Sequence, residues 1–351
     1  MTLQELLEKS IEQGASDIHV VTGQSPIFRI NTELVDSGFP VVTDEIVSVL
    51  VREMLGDRRY AQFLRRRDFD FSTFVKDRAR FRVNAHFQRD TIGIAFRAIP
   101  NKVPPLGDLN LPPVVSGFTD LPRGLVLVTG ETGSGKSTTL AAMIQEINYR
   151  HALHVITLED PVEYTLRHNK CLIEQRELGS DVTSFAAGLR HVLRQDPDVI
   201  MVGEMRDLET TSAAITAAET GHLVLSTLHT QSASQTVERI IDIYPSDQQN
   251  QIRAMLANTL QAVISQTLLK RSDRKGMIPA TEVLVCNSAA RACIRENRIF
   301  EIPNIIQTNS AMGMITLDQS LKRLFLNGCI SRDVCLTHAK TKDLLNAAIS
   351  A

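Results

Sequence analysis

The chain has 351 residues, of which 43% are hydrophobic and 22% are charged, so it can bury the cores of two domains and is not disordered throughout. The formal net charge of −2 gives no overall electrostatic reason to expect nucleic acid or an anionic membrane as partner. The five cysteines include no C-x-x-C pair, which favours reduced thiols in a cytoplasmic protein.

The first hundred residues combine a helical pattern at the start with several short strands. The predicted strands are 17–21, 26–30, 79–87 and 92–99. Within 79–87 apolar and polar residues alternate, which places Arg82 on the polar face of a half-buried strand. We therefore predict a smaller α+β domain over residues 1–100. Residues 101–113 are rich in proline and are predicted to be an interdomain linker.

From residue 114 onward, short apolar runs rich in β-branched residues alternate with helical stretches such as 136–150. The apolar runs are 125–129, 154–158, 199–202 and 223–227. This order is typical of a parallel sheet that is covered by helices on both faces. We predict one α/β domain over residues 114–351, with a mainly helical part after residue 245.

The part after residue 245 opens with a capping-box pattern formed by Ser246 and Gln249. Apolar residues then recur at helical spacing and predict one continuous helix as far as Leu268. These residues are Ile252, Met255, Leu256, Leu260, Val263, Ile264 and Leu268.

The stretch GETGSGKS at residues 130–137 matches the P-loop pattern, follows a predicted strand and opens a predicted helix. Its glycines let backbone N–H groups turn toward an anion, and the helix N-terminus adds a favourable dipole. Lys136 is expected to reach the β- and γ-phosphates of a nucleotide, and Ser137 to hold Mg²⁺. The predicted nucleotide-binding residues are Gly130, Glu131, Thr132, Gly133, Ser134, Gly135, Lys136, Ser137 and Thr138.

Acidic residues follow the carboxyl ends of two predicted strands, where ligands bind in open α/β sheets. Glu163 lies a few residues beyond strand 154–158, and Glu204 comes just after strand 199–202. Hydrolysis needs one carboxylate to deprotonate water and another to fix the hydrated metal. We predict that Glu163 is the general base and that Glu204 binds Mg²⁺ through water. Solvated turns are the alternative interpretation of these carboxylates.

Two histidines bracket one predicted strand in the stretch GHLVLSTLH. At ~3.3 Å per residue, they lie on the order of 20 Å apart and cannot both contact one γ-phosphate. His229, at the carboxyl end, is predicted to sense the phosphate. His222, at the other end, is predicted to be structural or to face a neighbouring subunit.

An arginine-rich region runs from Arg52 to Arg97, with 11 Arg and one Lys against six Asp or Glu. It is open to three interpretations: a nucleic-acid surface, a solvated basic face, or arginine fingers that reach a phosphate in a neighbouring subunit. The region lacks a convincing aromatic face for base stacking, which speaks against nucleic acid. Arg82 and Arg97 are the candidate fingers.

Four ordered motifs resemble the Walker A, Asp, Walker B and His boxes of secretion and pilus ATPases. They are LVLVTGETGSGKSTTLAAM, ITLEDPVEY, RQDPDVIMVGEMRDLET and TAAETGHLVLSTLHT. The chain is similar nearly from end to end to the type IV pilus retraction ATPases. This resemblance implies a RecA-like ATPase core that uses ATP and Mg²⁺, preceded by a PAS-like domain. It also implies that Glu163 is the general base, that Glu204 is the Walker B glutamate, and that Arg82 and Arg97 complete a site.

The resemblance further implies a homohexamer in the cytoplasm, associated with the inner membrane through a pilus platform protein and possibly with a paralogous pilus ATPase. No nucleic-acid partner is expected, and the apolar runs are too short for direct insertion into the membrane. Retraction is favoured over pilus assembly or type II secretion because the GASDIHV element begins by residue 14 and no four-cysteine zinc cluster is present. Assembly or secretion, and a nucleic-acid-translocating RecA-like ATPase, are the alternatives.

Two stretches depart from the pattern of the retraction ATPases. Residues 289–296, AARACIRE, agree at five of eight positions with the family's A-I-R-N-L-I-R-E, which leaves open a main motor or an accessory paralogue. Glu131 stands where Pro or Ala is usual in the P-loop. A carboxylate this near the phosphates is expected to weaken nucleotide binding unless it points outward.

Overall fold

The computed structural model describes residues 1–31, 33–75, 79–99 and 102–342. The chain divides into two compact units. The first is Met1–Lys102 with Glu163–Thr165, and the second is Val103–Val162 with Leu166–Ala351. The boundary predicted at residues 100 and 101, and residues 343–351 of the predicted ATPase domain, lie outside the described residues.

The described part of the first unit consists of an antiparallel sheet and two helices. The strands, in the spatial order β3-β2-β1-β6-β5-β4, are β1 (Asp17–Val21), β2 (Ile27–Ile30), β3 (Glu33–Asp36), β4 (Asp68–Val75), β5 (Ala79–Gln88) and β6 (Thr91–Ile99). The helices are α1 (Leu3–Glu12) and α2 (Asp44–Arg66). A capping box formed by Thr2 and Glu5 starts α1, and Gly56 with φ 68° interrupts α2.

The alternation in β5 sorts its side chains between a buried face and a polar face. Phe81 and Val83 are buried, whereas Arg82 between them is exposed. Phe81 packs against Phe96 of β6 with ring centroids 6.4 Å apart, as part of the core of this unit. The polar face predicted for Arg82 is therefore confirmed.

The second unit is built on a seven-stranded sheet that is parallel except for its last strand. In the spatial order β13-β12-β7-β11-β10-β8-β9, the strands are β7 (Gly124–Thr129), β8 (His154–Glu159), β9 (Leu172–Glu177), β10 (Val199–Val202), β11 (Leu223–Leu228), β12 (Leu260–Lys270) and β13 (Met277–Val285). β13 runs antiparallel to β12. The predicted strands in this region are confirmed as β7, β8, β10 and β11.

Helices cover both faces of this sheet and bury it. They are α3 (Val114–Gly117), α4 (Lys136–Arg150), α5 (Phe185–Val192), α6 (Leu208–Glu219), α7 (Ala233–Asp242), α8 (Gln249–Thr259), α9 (Ser288–Arg295), α10 (Ile302–Thr308), α11 (Leu317–Leu326) and α12 (Arg332–His338). In β7, Leu125 and Leu127 face one core while Val126 and Val128 face the other, which is why its sequence is apolar throughout. No helix in the described ranges is long and apolar enough to cross a membrane.

The proline-rich segment that follows residue 102 is packed onto the second unit. Leu106 is buried in one of its two cores, where Val103 and Leu109 also pack. Residues Leu106–Leu109 form a 3₁₀ turn within this segment. The segment predicted to be a linker thus lies against the sheet and its helices rather than in open solvent.

The prediction of a continuous helix as far as Leu268 is wrong. The helix α8 ends at Thr259, and residues from Leu260 onward form β12, which pairs with β7 on one side and β13 on the other. Both faces of β12 are largely buried, so it lacks the alternation of a half-exposed strand, and its apolar spacing coincides with a helical period. The predicted capping box is also absent, because Gln248 is the N-cap of α8 and its side chain makes no capping bond.

All five cysteines are free thiols, and four of them are buried. Burial raises the pKa of Cys286 to about 12 and also raises the pKa values of Cys171, Cys293 and Cys335. Cys329 is the one that is partly exposed. Because the thiolate is the reactive form, the buried thiols react slowly in the native protein.

We expect a thiol reagent such as Ellman's reagent at pH 8 to modify Cys329 rapidly in the native protein, and all five cysteines after denaturation. Absorbance of the released thiolate measures both stages. The variant Cys329→Ser is expected to lose the fast phase. A fast phase that persists in this variant would contradict the burial of the other four thiols.

Candidate active site

The P-loop connects β7 to α4 and folds around its own lysine. Lys136 Nζ donates hydrogen bonds to the carbonyl oxygens of Gly130 and Glu131, each at 2.8 Å. Gly135, with φ 92°, is the N-cap of α4, and as a glycine it has no side chain that could cap the helix. The N–H groups at the start of this helix are therefore left for a bound anion.

The first glycine of the loop is required by close packing. A Cβ atom at Gly130 would lie 2.3 Å from the backbone oxygen of Gln266 in β12 and 2.6 Å from Ser134 Oγ. Ser134 Oγ and Gln266 Oε1 are both buried without a hydrogen-bond partner among the described residues. The Ser134 hydroxyl can donate, so beside the helix N-terminus it fits the binding of a nucleotide phosphate at this loop.

The order of the parallel strands brings the other predicted groups to the same edge of the sheet. β11 lies between β7, which leads into the P-loop, and β10, which leads to Glu204. The registers align Thr129 with Leu228 and Val202 with Ser226, so the carboxyl ends of all three strands lie close together. His229 follows β11 directly and is therefore placed between the P-loop and Glu204.

Glu204 and His229 contact each other at this edge. His229 Nε2 lies 3.3 Å from Glu204 Oε2, and the guanidinium of Arg206 lies 2.6 Å from the same oxygen. The Glu204 side chain is only 17% exposed, whereas His229 is 41% exposed. A half-buried carboxylate held by two positively charged or polar groups keeps a fixed position next to the phosphate loop.

Glu131, the unusual residue of the P-loop, bonds to the loop that carries His229. Gln231 Nε2 donates a hydrogen bond of 2.7 Å to Glu131 Oε1. Both side chains are exposed. The Glu131 carboxylate therefore has a specific partner on the neighbouring loop.

The segment that leads to Glu163 is anchored by buried polar groups. Glu177 of β9 accepts a hydrogen bond of 3.3 Å from the backbone N–H of Val162. Glu159, at the end of β8, accepts hydrogen bonds from Thr157 and Gln175. Glu163 itself is exposed and comes directly after Val162 in the sequence. Residues Glu163–Thr165 belong to the first unit.

His222 lies at the amino end of β11 and is bound within the second unit. Its Nδ1 is 2.9 Å from the carbonyl oxygen of Ala217 in α6, and its own carbonyl oxygen accepts a hydrogen bond from the N–H of Gly124. These contacts connect α6, β11 and β7 at the edge opposite His229. They support the structural interpretation of His222, and the alternative of a neighbouring subunit stays a prediction.

The two candidate arginine fingers are neighbours on the polar face of the first sheet. Arg82 of β5 and Arg97 of β6 are directly opposite each other in the strand register. Arg97 Nε lies 2.9 Å from Asp17 Oδ1, and Arg29 lies 4.0 Å from the same carboxylate. Among the described residues Asp17 therefore pairs with Arg97 and Arg29, whereas Arg82 makes no ion pair with it.

Asp17 is held in its charged form by these neighbours. Burial acts to raise the pKa of Asp17, but hydrogen bonds from Arg97 and Ser16 outweigh it and the pKa lies below its ordinary value. A lowered pKa in the folded state stabilises the fold above the pKa of the unfolded chain, and this contribution is lost as the pH falls through the folded-state value.

The second unit thus brings Lys136, Glu131, Glu204 and His229 together at one edge, while Glu163, Arg82 and Arg97 belong to the first unit. Three supporting groups carry no motif that predicts them: Gln231, Glu177 and Gln175. Two of them, Glu177 and Gln175, lie in β9, a strand that was not predicted. The sequence LIEQRE of β9, in which polar residues are frequent, was the available sign of an edge strand that carries Gln175 and Glu177.

The family model described as "Type II/IV secretion system protein" matches residues 113–316. The type IV pilus retractation ATPase PilT of Pseudomonas aeruginosa is 44% identical over 340 residues, covering 97% of this chain and 98% of the relative. The type IV pilus ATPase PilU of the same organism is 36% identical and covers 99% of this chain and 91% of the relative.

A crystal structure of the pilus retraction motor PilT with bound ADP matches the fold with a TM-score of 0.92 at 40% identity, covering 99% of each chain. This likeness confirms the predicted fold class, a RecA-like P-loop core with a smaller α+β N-terminal domain and a helical C-terminal part. The predicted resemblance to the pilus retraction ATPases is confirmed as well.

We expect Gly130→Ala to destabilise the protein by at least ~2 kcal/mol, because the new Cβ would overlap the Gln266 carbonyl. Gly133→Ala is the matched control, since Gly133 also has a positive φ of 82° but open space around it. Its expected cost is about 1 kcal/mol. Thermal denaturation followed by circular dichroism compares the two variants, and equal losses would contradict the close approach at Gly130.

Proposed function

Because the chain belongs to the type II/IV secretion system protein family, we propose that it is an ATP-hydrolysing motor that powers type IV pilus retraction. The observation that carries this proposal is the P-loop with Glu204 and His229 at adjoining strand ends, in a chain similar over its whole length to a retraction ATPase. The P-loop supplies nucleotide binding, and the adjoining polar groups supply the chemistry of hydrolysis.

Residues at the start of α4 would bind the nucleotide and its metal. The N–H groups of residues 133–138 and the Lys136 ammonium would hold the phosphates, and the unpaired Ser134 Oγ supports an anion at this position. Ser137, together with Glu204 through water, would hold Mg²⁺. When bound, Mg²⁺ would supply positive charge that stabilises the negative charge developing during phosphoryl transfer.

Glu163 would act as the general base and His229 as the sensor of phosphate state. Glu163 is exposed and follows a segment anchored by Glu177, so water can reach its carboxylate at a defined position in the chain. His229 bonds to Glu204, which couples its position to the proposed metal carboxylate.

The motor would act as a homohexamer in which Arg82 and Arg97 complete the site of a neighbouring subunit. Both fingers are exposed on an arginine-bearing face of the first sheet, which would attract an anionic phosphate. Such a ring would work in the cytoplasm at the inner membrane, bound to the platform protein of the pilus. A paralogous pilus ATPase would be a further partner.

The departures in AARACIRE affect packing more than the surface. Two of the three positions that differ from the family pattern, Ala290 and Cys293, are buried in the core of the second unit. The shared Arg295 and Glu296 are exposed, and Arg291 bonds to the carbonyl oxygens of Ala257 and Asn258. Retention of the exposed charges supports retraction. The greater identity to the PilT relative than to PilU supports a main motor over an accessory paralogue.

We expect Glu163→Gln to lower ATP turnover by ~10²-fold or more while ATP binding is retained, because the amide cannot accept the proton of water. Lys136→Ala is expected to lose binding as well as turnover. Phosphate release measures turnover, and a fluorescent ATP analogue measures binding. Normal turnover in the first variant would remove Glu163 as base, and normal turnover in the second would contradict the role of the P-loop.

Deletion of the gene distinguishes retraction from assembly. Loss of a retraction motor leaves hyperpiliated cells that do not twitch, whereas loss of an assembly motor leaves cells without pili. Electron microscopy of the deletion strain counts surface pili, and a plasmid copy of the wild-type gene is the control. Bald cells would favour the assembly or secretion function instead.

A further inference from the structure

Glu131 and Gln231 join two loops that both belong to the candidate active site. The hydrogen bond between Gln231 Nε2 and Glu131 Oε1 is 2.7 Å long and connects residues 100 positions apart in the sequence. Glu131 lies two residues after the end of β7, and Gln231 lies three residues after the end of β11. These strands are neighbours in the sheet, so the two loops leave it side by side.

A backbone contact already holds the loops together at their base. The N–H of Gly130 donates to the carbonyl oxygen of Leu228 at 3.3 Å. The side-chain bond between Glu131 and Gln231 adds a second connection farther from the sheet. Two connections at different heights restrict rotation of one loop against the other, which a single contact does not.

Each partner of the pair also contacts, or lies close in sequence to, a residue proposed for the chemistry. The carbonyl oxygen of Glu131 accepts a hydrogen bond from Lys136 Nζ. Gln231 is two residues from His229, whose ring contacts Glu204. Glu131 thereby links Lys136 to the His229 loop, which is residues 229–232 between β11 and α7. The backbone of Glu131 bonds to Lys136, and the side chain of Glu131 bonds to Gln231.

The far side of the His229 loop is attached to the start of α7. The N–H of Gln231 donates to Gln235 Oε1 at 3.2 Å, and Thr230 Oγ1 lies 2.7 Å from Thr236 Oγ1. Since α7 packs into the core through buried residues, the loop has a rigid support on that side. The bond to Glu131 provides its attachment on the nucleotide side.

We propose that Glu131 and Gln231 form a positioning pair that holds the His229 loop against the P-loop. The Gln231 amide engages the Glu131 carboxylate on the β11 side of the loop and so keeps that charge directed away from a bound phosphate. This pair explains how a carboxylate is accommodated within the P-loop. The inference rests on the proposed function, because its consequence is a change in ATP binding and turnover.

A reciprocal exchange tests the pair. Gln231→Glu places two carboxylates opposite each other, and we expect it to lower kcat/KM for ATP by roughly three- to tenfold, through a higher KM and a lower kcat. The double variant Glu131→Gln/Gln231→Glu restores one amide and one carboxylate with their places exchanged. We expect it to recover most of this loss, and Glu131→Gln alone completes the double-mutant cycle.

The matched control is an exposed amide–carboxylate pair of the same chemistry in α1. Gln4 Nε2 donates to Glu8 Oε1 at 3.1 Å. The corresponding exchange, Gln4→Glu/Glu8→Gln, and its single variants are expected to leave ATP turnover unchanged. Thermal denaturation of every variant shows that the protein is folded.

Binding of a fluorescent ADP analogue is measured on the same variants, so the outcome does not depend on hydrolysis alone. Weaker binding in Gln231→Glu and recovery in the double variant support the pair. If the double variant is no better than Gln231→Glu in both assays, the proposed pair is overturned. The proposed function is unaffected by that result as long as the wild-type protein hydrolyses ATP. A wild-type protein that binds ADP but does not hydrolyse ATP would contradict the proposed function, and the binding data would still decide on the pair.

Discussion

Parallel pairing of β7, β11 and β10 sets the positions of the polar groups in the second unit. Each strand ends at the same edge of the sheet, so the P-loop, the His229 loop and Glu204 emerge side by side. The strands are buried on both faces of the sheet, so none of them can shift without disrupting the packing of a core. The contact between His229 and Glu204 and the bond between Glu131 and Gln231 both follow from this arrangement.

Much of this arrangement could be predicted from the sequence, because its signals are local. The P-loop lies between a run of apolar residues and a helix, and α4 spans the same residues, 136–150, as the predicted helix. The strand β12 could not be recognised in the same way. Its conformation depends on pairing with β7, more than 120 positions earlier, and on β13, which follows it. Partners so distant leave no trace in a local period of apolar residues.

The site was predicted at the level of strand ends but not at the level of side-chain partners. Strand order determined which loops are neighbours, and the sequence motifs identified Lys136, Glu204 and His229. The partners Gln231 and Glu177 carry no motif, and only the fold brings Gln231 to Glu131 and Glu177 to Val162. Polar residues that act by supporting others are found from contacts, since their type and spacing are those of ordinary surface residues.

The polar face around Asp17 has a consequence for the solution in which the protein is handled. Asp17 pairs with Arg97 and Arg29, and Arg82 lies opposite Arg97 on the same face. The attraction of such a surface for an anion is screened by salt, with a Debye length of about 10 Å at 0.1 M and about 3 Å at 1 M ionic strength. High ionic strength therefore weakens the attraction of this face for any anion, even where every hydrogen bond in the fold is retained.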